Sequence, residues 1–158
     1  MSGFTAAGIN KDLITTTQQA PLGFRLTVPD GDNGYAIYTY VKAAAEIAAG
    51  ISCAKGEVAD KSGYGAAVVA TSAMADTRYV GVAKATIASG SYGFVLTYGK
   101  GTAKVNSTSA ASDELVMHSA NGELDDAGAG ASNGPVGNVL GTAITGGQSG
   151  AVFVNFAG

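Results

Sequence analysis

From position 35 the chain alternates. Tyr35, Ile37, Thr39 and Val41 fall on one side of an extended backbone, and Ala36, Tyr38 and Tyr40 on the other. That period of two marks a β-strand with contacts on both faces. Shorter runs of the same kind follow at 51–58, 65–71, 78–85, 91–98 and 102–106, with Gly, Ser, Asp and Asn between them. Short strands at regular spacing with turn signals between them describe a barrel or sandwich. The strongest hairpin signal joins 92–98 to 102–105 through Gly99, Lys100 and Gly101, and a second joins 136–144 to 151–156. The alanine-rich stretch 43–49 ends at Gly50 and has the propensity for two turns of helix. Residues 124–134 are so rich in Gly, Ala, Asp, Ser and Asn that they read as a loop. No long-period repeat and no heptad stands out.

Residues 1–34 lack this alternation. They carry Pro21 and Pro29 and end in the turn-forming run Asp30, Gly31, Asp32, Asn33, Gly34. The expected fold is therefore all-β: a single compact β-barrel or β-sandwich domain over 35–158, with an extended N-terminal arm over 1–34.

Composition narrows the functional classes. The hydrophobic fraction is 46%, but alanine supplies much of it, Trp is absent and glycine contributes 24 residues, so the core is built from small pieces. Only 13% of residues are charged and the formal net charge is −3. Phosphate neutralisation requires a basic stripe, which this chain lacks, so nucleic acid is not an expected partner. A surface with so little charge is expected to face other protein. No apolar run approaches the ~20 residues of a membrane-spanning helix. The start, Met1-Ser2-Gly3-Phe4, lacks the basic and apolar regions of a secretion signal, so synthesis in the cytoplasm and no membrane partner are expected.

Candidate chemistry is sparse. Cys53 is the single cysteine and His118 the single histidine; they cannot supply the usual zinc ligands, and although a triad could be built around His118 in principle, it lies beside a polar turn and no Gly-x-Ser-x-Gly elbow accompanies it. Cys53 reads as a small core residue and His118 as a surface one. Asp30, Asp32 and Asn33 cluster, but Gly34 stands where a calcium loop needs its third oxygen ligand, so the cluster reads as a turn. Glu123, Asp125 and Asp126 also cluster, at the loop, and could hold a cation between subunits, but solvated carboxylates are the plain reading. Gly99-Lys100-Gly101-Thr102 lacks the spacing of a phosphate loop. No catalytic residue, cofactor or metal site is expected, and an enzyme is the least favoured class. The seven tyrosines, at 35, 38, 40, 64, 79, 92 and 98, lie mostly in expected strands, some serving the core and others available to anchor a contact surface.

The arm is where an interface is expected. Burying Phe4, Ile9, Leu13, Ile14, Leu22 and Phe24 returns on the order of 1.5–3 kcal/mol each, whereas ordering the backbone costs roughly 1–2 kcal/mol per residue. Across the whole arm cost exceeds gain, so these six side chains are expected to dock on a partner, as in strand addition.

Several segments resemble the small decoration, or cement, proteins of tailed-phage capsids. They are Tyr38-Thr39-Tyr40-Val41-Lys42 leading into Glu46-Ile47-Ala48-Ala49-Gly50, then Tyr79-Val80-Gly81-Val82-Ala83, Ile87-Ala88-Ser89-Gly90-Ser91-Tyr92-Gly93-Phe94-Val95, and Val152-Phe153-Val154-Asn155-Phe156. The resemblance implies a compact β-domain on the outer capsid surface of the virion. It would bind the major capsid protein, associate with itself as a homotrimer, stabilise contacts between capsid subunits, and carry no cofactor. The alternatives are a carbohydrate-binding or host-attachment module of a phage fibre, or a tail-tube subunit.

Overall fold

The computed structural model describes residues 5–6, 8–56, 63–117, 121–127 and 134–156. A two-residue hairpin pairs β1 (Thr5–Ala6) with β2 (Ile9–Asn10). The remaining strands form one branched sheet: β3 (Arg25–Pro29), β4 (Tyr35–Lys42), β5 (Ser52–Ala54), β6 (Val68–Val69), β7 (Tyr79–Ala83), β8 (Tyr92–Val105), β9 (Glu114–Met117), β10 (Leu124–Asp126), β11 (Gly137–Val139) and β12 (Gln148–Asn155). Short 3-10 turns lie at Gly31–Asn33, Tyr64–Ala66 and Asp76–Arg78. The all-β expectation holds.

Strand β8 organises the molecule. Its first half pairs with β4 and touches β7, and its second half pairs with β12 from Tyr98 to Val105. The expected hairpin at Gly99–Gly101 is therefore one continuous 14-residue strand. The glycines there solve a different problem. Gly99 has φ 119° and packs where a Cβ would sit 3.0 Å from Ala36 Cβ, and a Cβ on Gly101 would fall 2.4 Å from Leu96 Cδ2. They let the strand bend against its neighbours without turning back.

Each half of β8 closes a ring. In the second, the order β8-β12-β11-β9-β10 returns to β8 through a parallel pairing of Leu124 with Val105, giving a closed five-stranded barrel. In the first, β4-β8-β7-β5-β6 follows the same order. It returns to β4 through a parallel bridge between Ala43 and Ala67, in which the Ala67 N–H donates to the Lys42 carbonyl at 2.8 Å. The chain thus contains two copies of one unit, roughly 60 residues apart, sharing β8.

Among the described residues a turn recurs four times and clasps each ring. Ile47 and Ile87 exchange two backbone hydrogen bonds of 2.9 Å, and Ser109 and Ile144 do the same. Three residues after each of these stands a left-handed residue: Gly50 (φ 79°), Gly90 (φ 78°), Ser112 (φ 69°) and Gly147 (φ 77°). Its N–H closes the clasp: Gly50 donates to Ala83, Gly90 to Ala43, Ser112 to Val139 and Gly147 to Val105. This corrects two expectations. The 43–49 stretch is no helix, because its backbone groups pair with Ala67, Ile87 and Ser91; and the chain does contain a long-period repeat.

The interiors correspond as well. Ala43, Ile47, Cys53, Ala67, Val80, Ala83, Ile87 and Val95 fill the first ring; Val105, Ser109, Leu115, Leu124, Val136, Val139, Ile144 and Val152 occupy the same places in the second. Small residues at positions 43, 53 and 67 stand where the second ring has larger ones at 105, 115 and 124. Inside it, Thr39 and Thr97 satisfy each other's hydroxyls at 2.6 Å, as a buried polar pair must.

The expected boundary at 34 falls within a hairpin. β3 pairs with β4 in full register, Arg25 opposite Thr39 through Pro29 opposite Tyr35, and Leu26 and Val28 enter the core. Residues 25–29 alternate exposed and buried without a break, the proline standing at an exposed position at the end of the strand. Two further expected strands are shorter than their runs: β5 is limited to Ser52–Ala54, and 65–71 supplies a 3-10 turn followed by β6.

Candidate interaction surface

The six arm residues do not form one exposed patch. Ile9, Leu22 and Phe24 are half-buried against the larger core cluster, and Ile14 against the interior of the first ring. Phe24 meets Phe94 edge-on at 6.5 Å. Leu13 is 45% exposed, and Phe4 lies outside the described residues. The arm is held by its own domain: the Thr15 N–H donates to Tyr92 and the Tyr92 N–H donates back, at 3.1 and 2.8 Å. The intramolecular gain underestimated in the sequence was backbone pairing, which the side-chain arithmetic left out.

The exposed aromatic surface lies elsewhere, on the outer face of β4, β8 and β12. Alternation along β8 sends Ala103 and Val105 inward and Tyr98, Lys100 and Thr102 outward, opposite Asn155, Phe153 and Ala151 of β12. Tyr35 stacks on Tyr98 at 5.2 Å with 21° between planes, and Phe153 meets Tyr98 edge-on at 5.0 Å. Tyr35 is 49% exposed, and Tyr98 and Phe153 are half-buried. Beside Phe153 an open groove of about 430 Å³ is lined by Glu114, Pro135, Asn138 and Asn155. Rigid aromatic rings next to amide and carboxylate groups are the composition of protein contact sites, because the rings supply area at little entropic cost.

Other tyrosines serve the core. The Tyr40 hydroxyl accepts from the Gln19 N–H at 2.9 Å, fixing the arm. The Tyr79 hydroxyl donates toward the Thr71 and Met74 carbonyls at 2.9 and 3.2 Å. Burial, assisted by the Asp76 charge, raises the Tyr79 pKa. Periodicity placed tyrosines on both faces but could not show which face another layer covers; β3 and the arm cover the Tyr38 and Tyr40 side.

Several of the candidate chemical groups are tied into the fold. Cys53 is fully buried, and burial pushes its thiol up to about 12. Asp30 to Gly34 form a closed turn, with the Asp30 N–H donating to Gly34 and the Asn33 N–H to Asp30. Buried Glu123 pairs with Lys104 at 2.6 Å. His118 and residues 128–133 lie outside the described residues. Asp12 accepts from Lys11 at 2.7 Å and from Lys84 at 3.2 Å. Burial, the largest single effect, acts to raise its pKa, but the two lysines together outweigh it and hold the carboxyl below its ordinary 3.8.

These features define a class before any name: a β-only scaffold of two fused five-stranded rings with an aromatic outer strip. The same fold occurs in the head fibre gp8.5 N base of bacteriophage phi29. Its crystal structure superposes with a TM-score of 0.56 at 15% sequence identity, covering 76% of this chain and 94% of that one. No family model and no curated protein sequence matches the chain.

Proposed function

We propose that this protein is a non-enzymatic structural component of a phage head, seated on the outer surface of the capsid and stabilising contacts between major capsid protein subunits. The observation that carries the reading is the exposed strip Tyr35–Tyr98–Phe153 on a rigid β scaffold, in a fold shared with a head fibre base. Low charge density supports it, since a lattice-bound face gains more from apolar and aromatic contact than from solvated ions. Many copies on one shell then act additively, each with a modest interface, and self-association as a trimer raises the effective concentration of each contact.

The test is cosedimentation of the purified protein with capsid shells that lack it. Saturation at a fixed ratio to capsid subunits is expected, and replacing Tyr35 and Phe153 together by alanine is expected to weaken binding by about tenfold or more, as for aromatic anchors at interface centres. Absence of saturable binding by a folded protein overturns the reading. The head fibre likeness equally favours a second reading, a base that carries a fibre or host-attachment module; glycan binding without shell binding would select it.

A further inference from the structure

Between the two rings lies a cleft of about 310 Å³ bounded by Tyr38, Lys84, Lys100, Thr102 and Ser149, with Leu96 at its floor. Its walls come from both copies of the repeat: the first clasp turn contributes Gly50 and the fourth clasp turn runs into Ser149. The turn is pinned to β8 where the Lys104 N–H donates to the Gly50 carbonyl at 2.9 Å. The cleft is therefore rigid and formed in advance, which keeps the ordering cost of binding low.

Its chemistry is unbalanced. Tyr38 is only 6% exposed, yet its hydroxyl has no hydrogen-bond partner among the described residues and is not sealed from solvent. A hydroxyl held on a buried ring and left unpaired is a poised donor, because core tyrosines elsewhere in this chain pair theirs. Lys100 is exposed and makes no ion pair among the described residues. Lys84 reaches the same cleft and shares its charge with Asp12 at 3.2 Å, and Asp12 also takes Lys11. Two ammonium groups, those of Lys11 and Lys84, thus share one carboxylate, and Lys100 adds a further positive charge at the cleft. In a chain whose net charge is −3, this concentration of unneutralised positive charge is local.

We infer that the inter-ring cleft is a binding site for a small hydroxylated anion: a carboxylate or phosphate held by Lys84 and Lys100, with its hydroxyls on Tyr38, Thr102 and Ser149 and its carbon frame on Leu96. An acidic saccharide unit has this chemistry. The site adjoins the aromatic strip, since Lys100 stands opposite Phe153 across β8 and β12, but it uses different side chains and does not depend on the capsid reading; a failure here leaves that reading intact.

The experiment is an NMR titration of the full chain with glucuronate, glucose 6-phosphate, inorganic phosphate and neutral glucose at equal ionic strength. The expected result is saturable shifts at the Gly50, Gly101 and Ser149 amides with one or both of the acidic sugars, smaller ones with inorganic phosphate, and none with glucose. The two acidic sugars separate carboxylate from phosphate recognition. Lys100→Gln is expected to weaken binding about tenfold, the worth of one charge-assisted contact. Tyr38→Phe is expected to weaken it several-fold while leaving Tm unchanged, because the lost hydroxyl has no protein partner. Shifts that fail to saturate, shifts of equal size with glucose, or an affinity indifferent to both substitutions would overturn the assignment.

Discussion

Adding one methyl group at either of two equivalent glycines tests the duplicated architecture. Gly81 in β7 faces β8, and Gly137 in β11 faces β12, at matching places in the two rings. A Cβ on Gly81 would lie 2.4 Å from the Leu96 carbonyl oxygen, and one on Gly137 would lie 2.3 Å from that of Phe153. Carbon–oxygen contacts in sheets rest near ~3.3 Å, so either strand pair would have to part by roughly 1 Å. Neither obstacle can swing aside, because both are backbone. Leu96 is bracketed by β4 and β7, and Phe153 by β8 and β11. The cost belongs at the upper end of overpacking, about 3 kcal/mol, which for a chain of this length lowers Tm by ~6–12 °C. Thermal unfolding followed by far-ultraviolet circular dichroism, with urea titration of tyrosine fluorescence, measures it for Gly81→Ala and Gly137→Ala. Gly134→Ala is the control: the nearest atom to its Cβ would be Asp76 Oδ2 at 3.6 Å, and a change within about 0.5 kcal/mol is expected. If either test substitution cost less than about 1 kcal/mol, the close strand approach, and the equivalence of the two rings, would be refuted.

Three further outcomes follow from particular contacts. Ser112 occupies the left-handed place filled by glycine in the other three clasp turns, so Ser112→Gly is expected to stabilise the protein by ~0.5–1 kcal/mol in urea unfolding, the relief of a strained φ less the added chain entropy. Cys53, buried and pushed up to about 12, is expected to resist thiol reagents at pH 8 in the native state and to react fully in denaturant; rapid native labelling would contradict its place in the core. Asp12 has a depressed carboxyl pKa, so its contribution is fully present above the unfolded carboxylate range near pH 4 and is lost as pH falls through the lower folded value. Because the pair is exposed, Asp12→Asn is expected to cost under about 1 kcal/mol at pH 7, with the difference from wild type vanishing toward pH 2 in acid-unfolding curves.

Strand periodicity made β4 and the β11–β12 hairpin legible in the sequence, because each buries residues two apart against a layer that the alternation itself implies. The duplication was visible in principle. Val80-Gly81, Ile87, Gly90 and Gly93 recur as Val136-Gly137, Ile144, Gly147 and Gly150. It was hidden because one copy carries an extra residue before the isoleucine and because Ser109 and Ser112 replace the isoleucine and glycine of the first clasp. Gly99 and Gly101 misled for a related reason: glycine marks both tight turns and close backbone approach, and only the neighbouring Ala36 and Leu96 distinguish them. The arm was misjudged because its pairing partners, Tyr92 for Thr15 and the whole of β4 for β3, are distant in sequence. The aromatic strip needs three strands in register, which no single segment encodes, and the inter-ring cleft exists only because two copies of the unit meet at β8.

The most direct test of the central claim is immunogold labelling of intact virions with antibody raised against the purified chain. Gold confined to the outer surface of the heads is the predicted result. Gold on tails alone, or labelling only after particles are disrupted, would contradict it.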